Sequence, residues 1–136
     1  MISQTTLPLV DTDVWIDYLR GVPLAVAFVS ALPERVAISA ISVAELHVGV
    51  RGDKKADPEQ VALDALLSSL EVIALSDDMA RSGGILRRDY GRSHGVGLND
   101  ALIAATAQAL GAVLYTLNVK HFPSLGAGQL QQAYQK

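Results

Sequence analysis

The chain contains no cysteine. That absence excludes thiolate catalysis, disulfide staples and cysteine-ligated zinc. It suits a reducing compartment, so the cytoplasm is the expected location. No uninterrupted apolar run reaches the roughly 18 residues that a bilayer-crossing helix needs, so no membrane span is expected. Met1-Ile2-Ser3-Gln4-Thr5-Thr6 lacks a basic stretch followed by a long apolar one, and no secretory signal is expected. Gly-x-Gly-x-x-Gly and Gly-x-x-x-x-Gly-Lys are both missing, which disfavours a nucleotide-cofactor enzyme. Charge is sparse, at 18% of residues, and the net charge is −3. Proteins that merely coat nucleic acid are usually basic. A site lined by carboxylates and filled by cations is compatible with mild acidity.

What is present is apolar material. Half of the 136 residues are hydrophobic, enough to bury a core and consistent with one domain spanning residues 1–136. Bases gather at Arg51, Lys54 and Lys55, and again at Arg81, Arg87, Arg88 and Arg92. Both groups read as a solvated helix face and loop. The three histidines, His47, His94 and His121, form no metal-binding spacing and read as structural or surface residues.

Strands and helices are expected to alternate, which favours an α/β fold on a parallel sheet. Strands are expected at Leu7–Val10, Arg35–Ser39, Val72–Leu75 and Ala112–Thr116, with a weak edge strand near Leu130. Thr12 is expected to cap a first helix that Gly21 stops, and a second runs from Pro23 to about Leu32. Ser42-Val43-Ala44-Glu45 reads as a capping box opening a third. Gly52 to Ala56 reads as a polar turn. Asp57-Pro58-Glu59 reads as a cap, a first-turn proline and an acidic first turn. Ser76 or Asp77 is expected to cap a helix reaching about Tyr90, with residues 91–97 as a glycine-rich loop. Asn99 is expected to cap a helix from Asp100 to about Leu110. Its residues are apolar almost all round, so it should lie deep, with Gly111 at its C′ position.

Four polar residues occupy comparable places in this layout. Asp11 ends the first strand, Glu45 lies in the helix after the second, Asp100 opens the alanine-rich helix, and Asn118 follows the strand ending at Thr116. In open parallel sheets, ligands bind beyond the carboxyl ends of the strands. Mg²⁺ prefers hard oxygen ligands and is usually held by a few carboxylates plus substrate phosphate. Singly, each acid also reads as an ordinary helix cap or first-turn acid. Thr116 reads either as a hydrogen-bond donor to this cluster or as a plain β-branched strand residue. Trp15 and Tyr18 read as core or partner-groove residues.

A resemblance sharpens this. Leu9-Val10-Asp11-Thr12-Asp13-Val14-Trp15-Ile16 resembles the opening strand and turn of PIN-domain toxins of the VapC type. Ile41-Ser42-Val43-Ala44-Glu45-Leu46 with Gly49 is similar to their second motif, and Asn99-Asp100-Ala101-Leu102-Ile103-Ala104-Ala105-Thr106-Ala107 to their most recognisable stretch. Thr116-Leu117-Asn118-Val119-Lys120-His121-Phe122 resembles the fourth. The resemblance implies a three-layer α/β/α sandwich with a central parallel sheet. It implies a metal-dependent endoribonuclease that hydrolyses RNA phosphodiester bonds with an activated water, as the toxin of a toxin–antitoxin module. Asp11, Glu45 and Asp100 would be catalytic, and these three with Asn118 would hold Mg²⁺, or Mn²⁺. Asp13 and Thr116 would be auxiliary. A cognate antitoxin lying in a hydrophobic groove and a homodimer are implied as partners.

Two positions depart from the pattern. Asp13 stands where the family commonly has Asn, and Asn118 where many members carry Asp. Asp13 is therefore expected either to restore the lost negative charge or only to stabilise the helix start. Two other readings stand beside the resemblance. One is a catalytically weak PIN-like module that binds RNA or protein. The other is a haloacid-dehalogenase-like phosphatase, with Asp11 of the Asp11-Thr12-Asp13 run as nucleophile and Asp77 and Asp78 as later acids.

Overall fold

The computed structural model describes residues 7–50 and 58–136. The Arg51, Lys54 and Lys55 cluster, the 52–56 turn and the Asp57 cap lie outside the described residues. Five strands form one sheet: β1 (Pro8–Val10), β2 (Ala37–Ser39), β3 (Glu71–Ile73), β4 (Val113–Thr116) and β5 (Leu130–Gln132). Their spatial order is β3-β2-β1-β4-β5, and every neighbouring pair is parallel. The helices are α1 (Thr12–Leu19), α2 (Pro23–Ser30), α3 (Ala40–Val48), α4 (Pro58–Ser68), α5 (Asp77–His94) and α6 (Leu98–Leu110). A 3₁₀ turn spans Val119–His121.

Alternation along the short strands sorts their side chains into two cores. In β1, Leu9 joins Ile103, Ala104, Ala107, Leu114 and Phe122 on the α5–α6 side. The next residue, Val10, joins Val14, Trp15, Ile38, Leu63 and Leu66 on the side of α1 and α4. Ala37 and Ile38 divide in the same way. A sheet covered on both faces gives the expected α/β/α sandwich. Pro8 opens β1 at the place where a missing ladder donor does least harm.

Trp15 is almost fully buried and donates its indole N–H to the carbonyl of Val10 at 3.2 Å, so its polar atom is satisfied inside the core. Phe28 of α2 packs against Tyr115 and Tyr134, with ring centroids 5.4 and 6.0 Å apart. On the other face, α6 is buried from Ala101 to Ala107, as its composition suggested.

Helix ends moved more than helix cores. Asp11, not Thr12, is the N-cap of α1, its carboxylate accepting from the Thr12 amide at 2.8 Å. Ser39 caps α3, so Ser42 and Glu45 form no capping box. Gly97 stands at the N-cap of α6, so Asn99 is released from that role. The expected loop after Tyr90 is helical as far as His94, and α5 ends at Gly95 with a left-handed φ of +65°. Ser76 caps α5 through the Met79 amide, as expected.

The α5–α6 contact depends on one missing side chain. A Cβ on Gly83 would meet the Leu102 side chain at 2.5 Å and the Leu102 Cα at 3.1 Å, whereas a Cβ on the next residue, exposed Gly84, would meet nothing within 4 Å. Opposite effects follow for neighbouring glycines in one helix. Gly84→Ala should stabilise by roughly 0.5–1 kcal/mol through helix propensity. Gly83→Val should destabilise by about 1–3 kcal/mol through overpacking. Urea unfolding of the two variants checks the pair.

Candidate active site

The strand order reverses beside β1: the chain builds outward to β2 and β3, then returns to place β4 on the other flank. The crevice at the carboxyl ends of β1 and β4 is therefore the topological switch point, where such sheets leave room for ligands. Asp11 follows β1 and Thr116 ends β4. The Asp11 amide donates to the Tyr115 carbonyl at 2.9 Å, which registers the two strand ends side by side.

Asp11 is buried, with 6% of its surface exposed. One carboxylate oxygen takes the Thr12 amide and the other takes the Thr116 hydroxyl, each at 2.8 Å. Asp13 comes in from the first turn of α1. Its Oδ2 accepts from the Leu117 amide at 3.1 Å and lies 3.3 Å from the same Thr116 hydroxyl. Its Oδ1 is buried with no hydrogen-bond donor among the described residues. The Thr116 hydroxyl accepts from the Asn118 amide at 3.0 Å, so it links β4, the following turn and both aspartates.

Glu45 reaches this crevice from α3. Its Oε1 lies 2.6 Å from the Thr12 hydroxyl, which in turn lies 2.8 Å from the buried Ser42 hydroxyl. A hydroxyl has one hydrogen to give. Thr12 therefore donates to Glu45 and accepts from Ser42. The other Glu45 oxygen accepts from the Asn99 side-chain amide at 3.2 Å. Asp100 stands in the first turn of α6, with His121 Nδ1 3.1 Å from its Oδ2.

The acids feel one another. Burial raises the Asp11 carboxyl well above the usual carboxylate range, and the charges of Asp13 and Asp100 add to the rise, against hydrogen bonds from Thr116 and Thr12. Asp13 is raised by burial, with Asp100 contributing, against the nearby Leu117 and Val14 amides and the Thr116 hydroxyl. Asp100 is raised by burial and by Glu45, with His121 pulling the other way. Four carboxylates from three distant stretches of the chain thus share one neighbourhood. Asn118 is exposed at its edge, and its backbone rather than its side chain makes the recorded contact.

Among the described residues, no three acidic or imidazole side chains close into a cage that would hold a bare ion. The donor set is nevertheless all hard oxygen. The orphaned Asp13 Oδ1 needs a water or a cation. An open array of carboxylates suits an ion that keeps much of its water, as Mg²⁺ does.

Sequence reasoning missed several members of this cluster. Thr12, Ser42 and Asn99 were expected as helix caps and instead bind side chains around Glu45. His121, expected as a structural or surface residue, is partly exposed and also faces Asp100. In each case the local signal was real, but a partner more than 20 residues away took the polar group. Asp77 and Asp78, the later acids of a phosphatase reading, open α5 after edge strand β3, and Asp77 is paired with Arg81 at 2.8 Å.

Comparison with known proteins agrees with the fold. The profile of the PIN domain matches residues 9–126. Ribonuclease VapC10 of Mycobacterium tuberculosis is 45% identical over 118 residues, 85% of this chain and 85% of the relative. Ribonuclease VapC19 of the same species is 40% identical over 121 residues, 86% of this chain and 93% of the relative. A toxin–antitoxin complex from Klebsiella pneumoniae contains a chain with a TM-score of 0.77 at 33% identity, covering 95% of this chain and 99% of that one. The conserved fold, the matched span and these identities place the chain in the PIN-domain family, among its VapC-type members.

Proposed function

We propose that the chain is an endoribonuclease dependent on Mg²⁺, or Mn²⁺, and the toxin of a toxin–antitoxin module. The observation that carries this is the Asp11–Asp13 pair at the switch point, with Asp100 and Glu45 in the same field and one buried aspartate oxygen without a donor among the described residues. Uncompensated buried negative charge is costly, and a cation relieves it. Relatives named ribonuclease support the substrate class.

Asp11, Glu45 and Asp100, with the side-chain amide oxygen of Asn118 at the rim, would hold the ion. A bound divalent cation supplies a water of lowered pKa and neutralises charge gathering on the phosphate. The chain's own part is orientation. Thr116 fixes the Asp11 carboxylate, Thr12 and Asn99 fix Glu45 from both sides, and Asp13 adds negative charge behind Asp11. In the hydrolysis, a water oxygen forms a bond to phosphorus, one phosphodiester P–O bond breaks, and the leaving oxygen takes a proton. Burial raises the Asp11, Asp13 and Asp100 carboxyls, so their ionised forms would be favoured once a cation is held. The hydrogen bonds from Thr116, Thr12 and Asn99 keep the oxygens in place.

An apolar cavity lined by Ile16, Leu19, Leu46, Val50 and Ala62 opens beside Glu45 and Arg20. It supports the antitoxin as partner, with an apolar segment seated next to the acids. No helix among the described residues is long and apolar enough to cross a membrane. A homodimer of single-domain chains in the cytoplasm completes the reading.

Cleavage of cellular RNA in Mg²⁺, with the cut ends sequenced, tests the activity. Asp11→Asn and Asp100→Asn should each lower the rate by at least roughly 100-fold, because each removes charge from the ion site. Folded variants that cut as fast as the parent would overturn the assignment. RNA binding without cleavage by the parent would instead favour a binding module, the reading to which the neutral Asn118 lends weight.

Charge compensation has its own check. Asp13→Asn should weaken Mg²⁺ binding by about 10-fold, read by calorimetry. An unchanged affinity would leave Asp13 as a helix-start residue only.

The acids also set how stability follows pH. Asp11, Asp13 and Asp100 have raised pKa values in the fold. Above about pH 4 the unfolded chain releases these protons while the fold still holds them. Their contribution therefore falls as pH rises through the raised values. Asp17 acts in the opposite sense. Burial raises it, but the Lys136 ammonium and the Tyr134 hydroxyl outweigh that and lower its pKa, so its contribution is lost as pH falls through that lowered value. In EDTA, scanning calorimetry should show the melting temperature of the parent declining between about pH 5 and pH 8 relative to Asp13→Asn, and Mg²⁺ should close the gap.

A further inference from the structure

Among the described residues His121 is the one imidazole that the fold brings to the acids, and cation binding by Asp11, Glu45 and Asp100 does not itself require it. It lies at the end of the 3₁₀ turn that follows Asn118. Its amide donates to the Asn118 carbonyl at 3.0 Å, and the next amide, of Phe122, donates to Val119 at 3.1 Å. The Phe122 ring is almost fully buried in the core on the α5–α6 side. The backbone under His121 is therefore pinned on both sides, although the imidazole itself is 42% exposed. From there Nδ1 lies 3.1 Å from Asp100 Oδ2. The other Asp100 oxygen has no donor among the described residues.

We propose that His121 is a positioning residue for Asp100: its Nδ1–H engages Oδ2 and leaves Oδ1 as the oxygen that meets the divalent cation. The proposal rests on the nuclease reading above. A neutral imidazole with its hydrogen on Nδ1 is enough, because a neutral N–H is already a donor. Partners of metal-binding side chains act in this way, fixing the orientation of the binding group. Asp100 needs such a partner more than Asp11 does. Two donors, from Thr12 and Thr116, hold Asp11. Among the described residues Asp100 has only His121 as a hydrogen-bonding partner, while the like charge of Glu45 pushes against it. The competing account is an exposed surface pair, which would add little to stability and nothing to ion binding.

The test uses the purified full chain, stripped of metal, titrated with Mn²⁺ alone by calorimetry and melted in EDTA. His121→Phe should weaken Mn²⁺ binding on the order of 10-fold, with little change in the metal-free melting temperature. His121→Asn places an amide N–H near the position of Nδ1 and should return affinity to within about threefold of the parent, while His121→Gln, which mimics Nε2, should not. The Asn and Gln variants decide the case even if phenylalanine disturbs the turn. Equal Mn²⁺ affinity in all three variants and the parent would overturn the role of His121, and so would equal loss in Asn and Gln. If the parent binds Mn²⁺ and Asp11→Asn abolishes cleavage, such a failure touches His121 alone. A parent that binds no Mn²⁺ overturns the nuclease reading and this inference together.

Discussion

A single hydroxyl, that of Thr116, stands between two carboxylates, one buried and one partly buried. It gives its hydrogen to Asp11 at 2.8 Å and sits 3.3 Å from Asp13. Since it can satisfy one of them well, the pair is left short of donors, and Asp13 Oδ1 has none among the described residues. Most buried polar atoms find partners, so a deficit at the mouth of a parallel sheet is a feature to be explained by what binds there. The strand order fixes where this happens. β1 and β4 are neighbours only because the chain reverses direction across the sheet at β1, and each delivers its polar residue at its carboxyl end.

The far end of the chain braces that hydroxyl. β5 lies beside β4 with Thr116 opposite Gln132, and the Ala133 amide donates to the Thr116 carbonyl at 2.9 Å. Two residues further on, the Tyr134 hydroxyl donates to buried Asp17 at 2.9 Å, with the Lys136 ammonium 3.1 Å from the same carboxylate. Asp17 belongs to α1, the helix that Asp11 caps and that carries Asp13. The last segment thus ties β4 to α1, the two elements whose spacing sets the distance between Thr116 and its aspartates. Asp17 is buried whereas the Lys136 side chain is exposed, so the Tyr134 hydroxyl is the inner partner of the carboxylate, and these contacts bear on position at the site without touching it.

Period and composition made the architecture legible. The β-branched and aliphatic runs at Leu9-Val10 and Val36-Ala37-Ile38 became strands, and the alanine-rich stretch after Asp100 became the buried helix α6. Such signals are local, and burial amplifies them. Polar residues were legible as members of the site only where a strand end or a family motif pointed to them, as for Asp11, Glu45 and Asp100. Ser42 and Asn99 carried the ordinary marks of helix caps, which local chemistry favours. Their true partners, Thr12 and Glu45, lie 30 and 54 residues away. A hydroxyl or amide chooses among partners by distance in space, and no single-sequence pattern records that distance. His121 was hidden for the same reason: its spacing to other histidines said nothing, and its neighbour is an aspartate on another element.

The exchange of acid and amide between positions 13 and 118 has an energetic meaning on this reading. Asn118 stands exposed at the edge of the crevice, where water and salt would screen a carboxylate. Asp13 stands inside it, partly buried and held by the Leu117 amide. Charge moved from rim to floor acts through a medium of lower effective dielectric, so it attracts a cation more strongly per unit charge. The same move adds repulsion to the fold: burial is the main cause that lifts both carboxyls, and the Asp13 charge adds to the rise of Asp11. Stability without the ion and affinity for it are therefore set against each other by one residue. The structure supports the burdened side through the Thr116 hydroxyl and the strands that hold it in place.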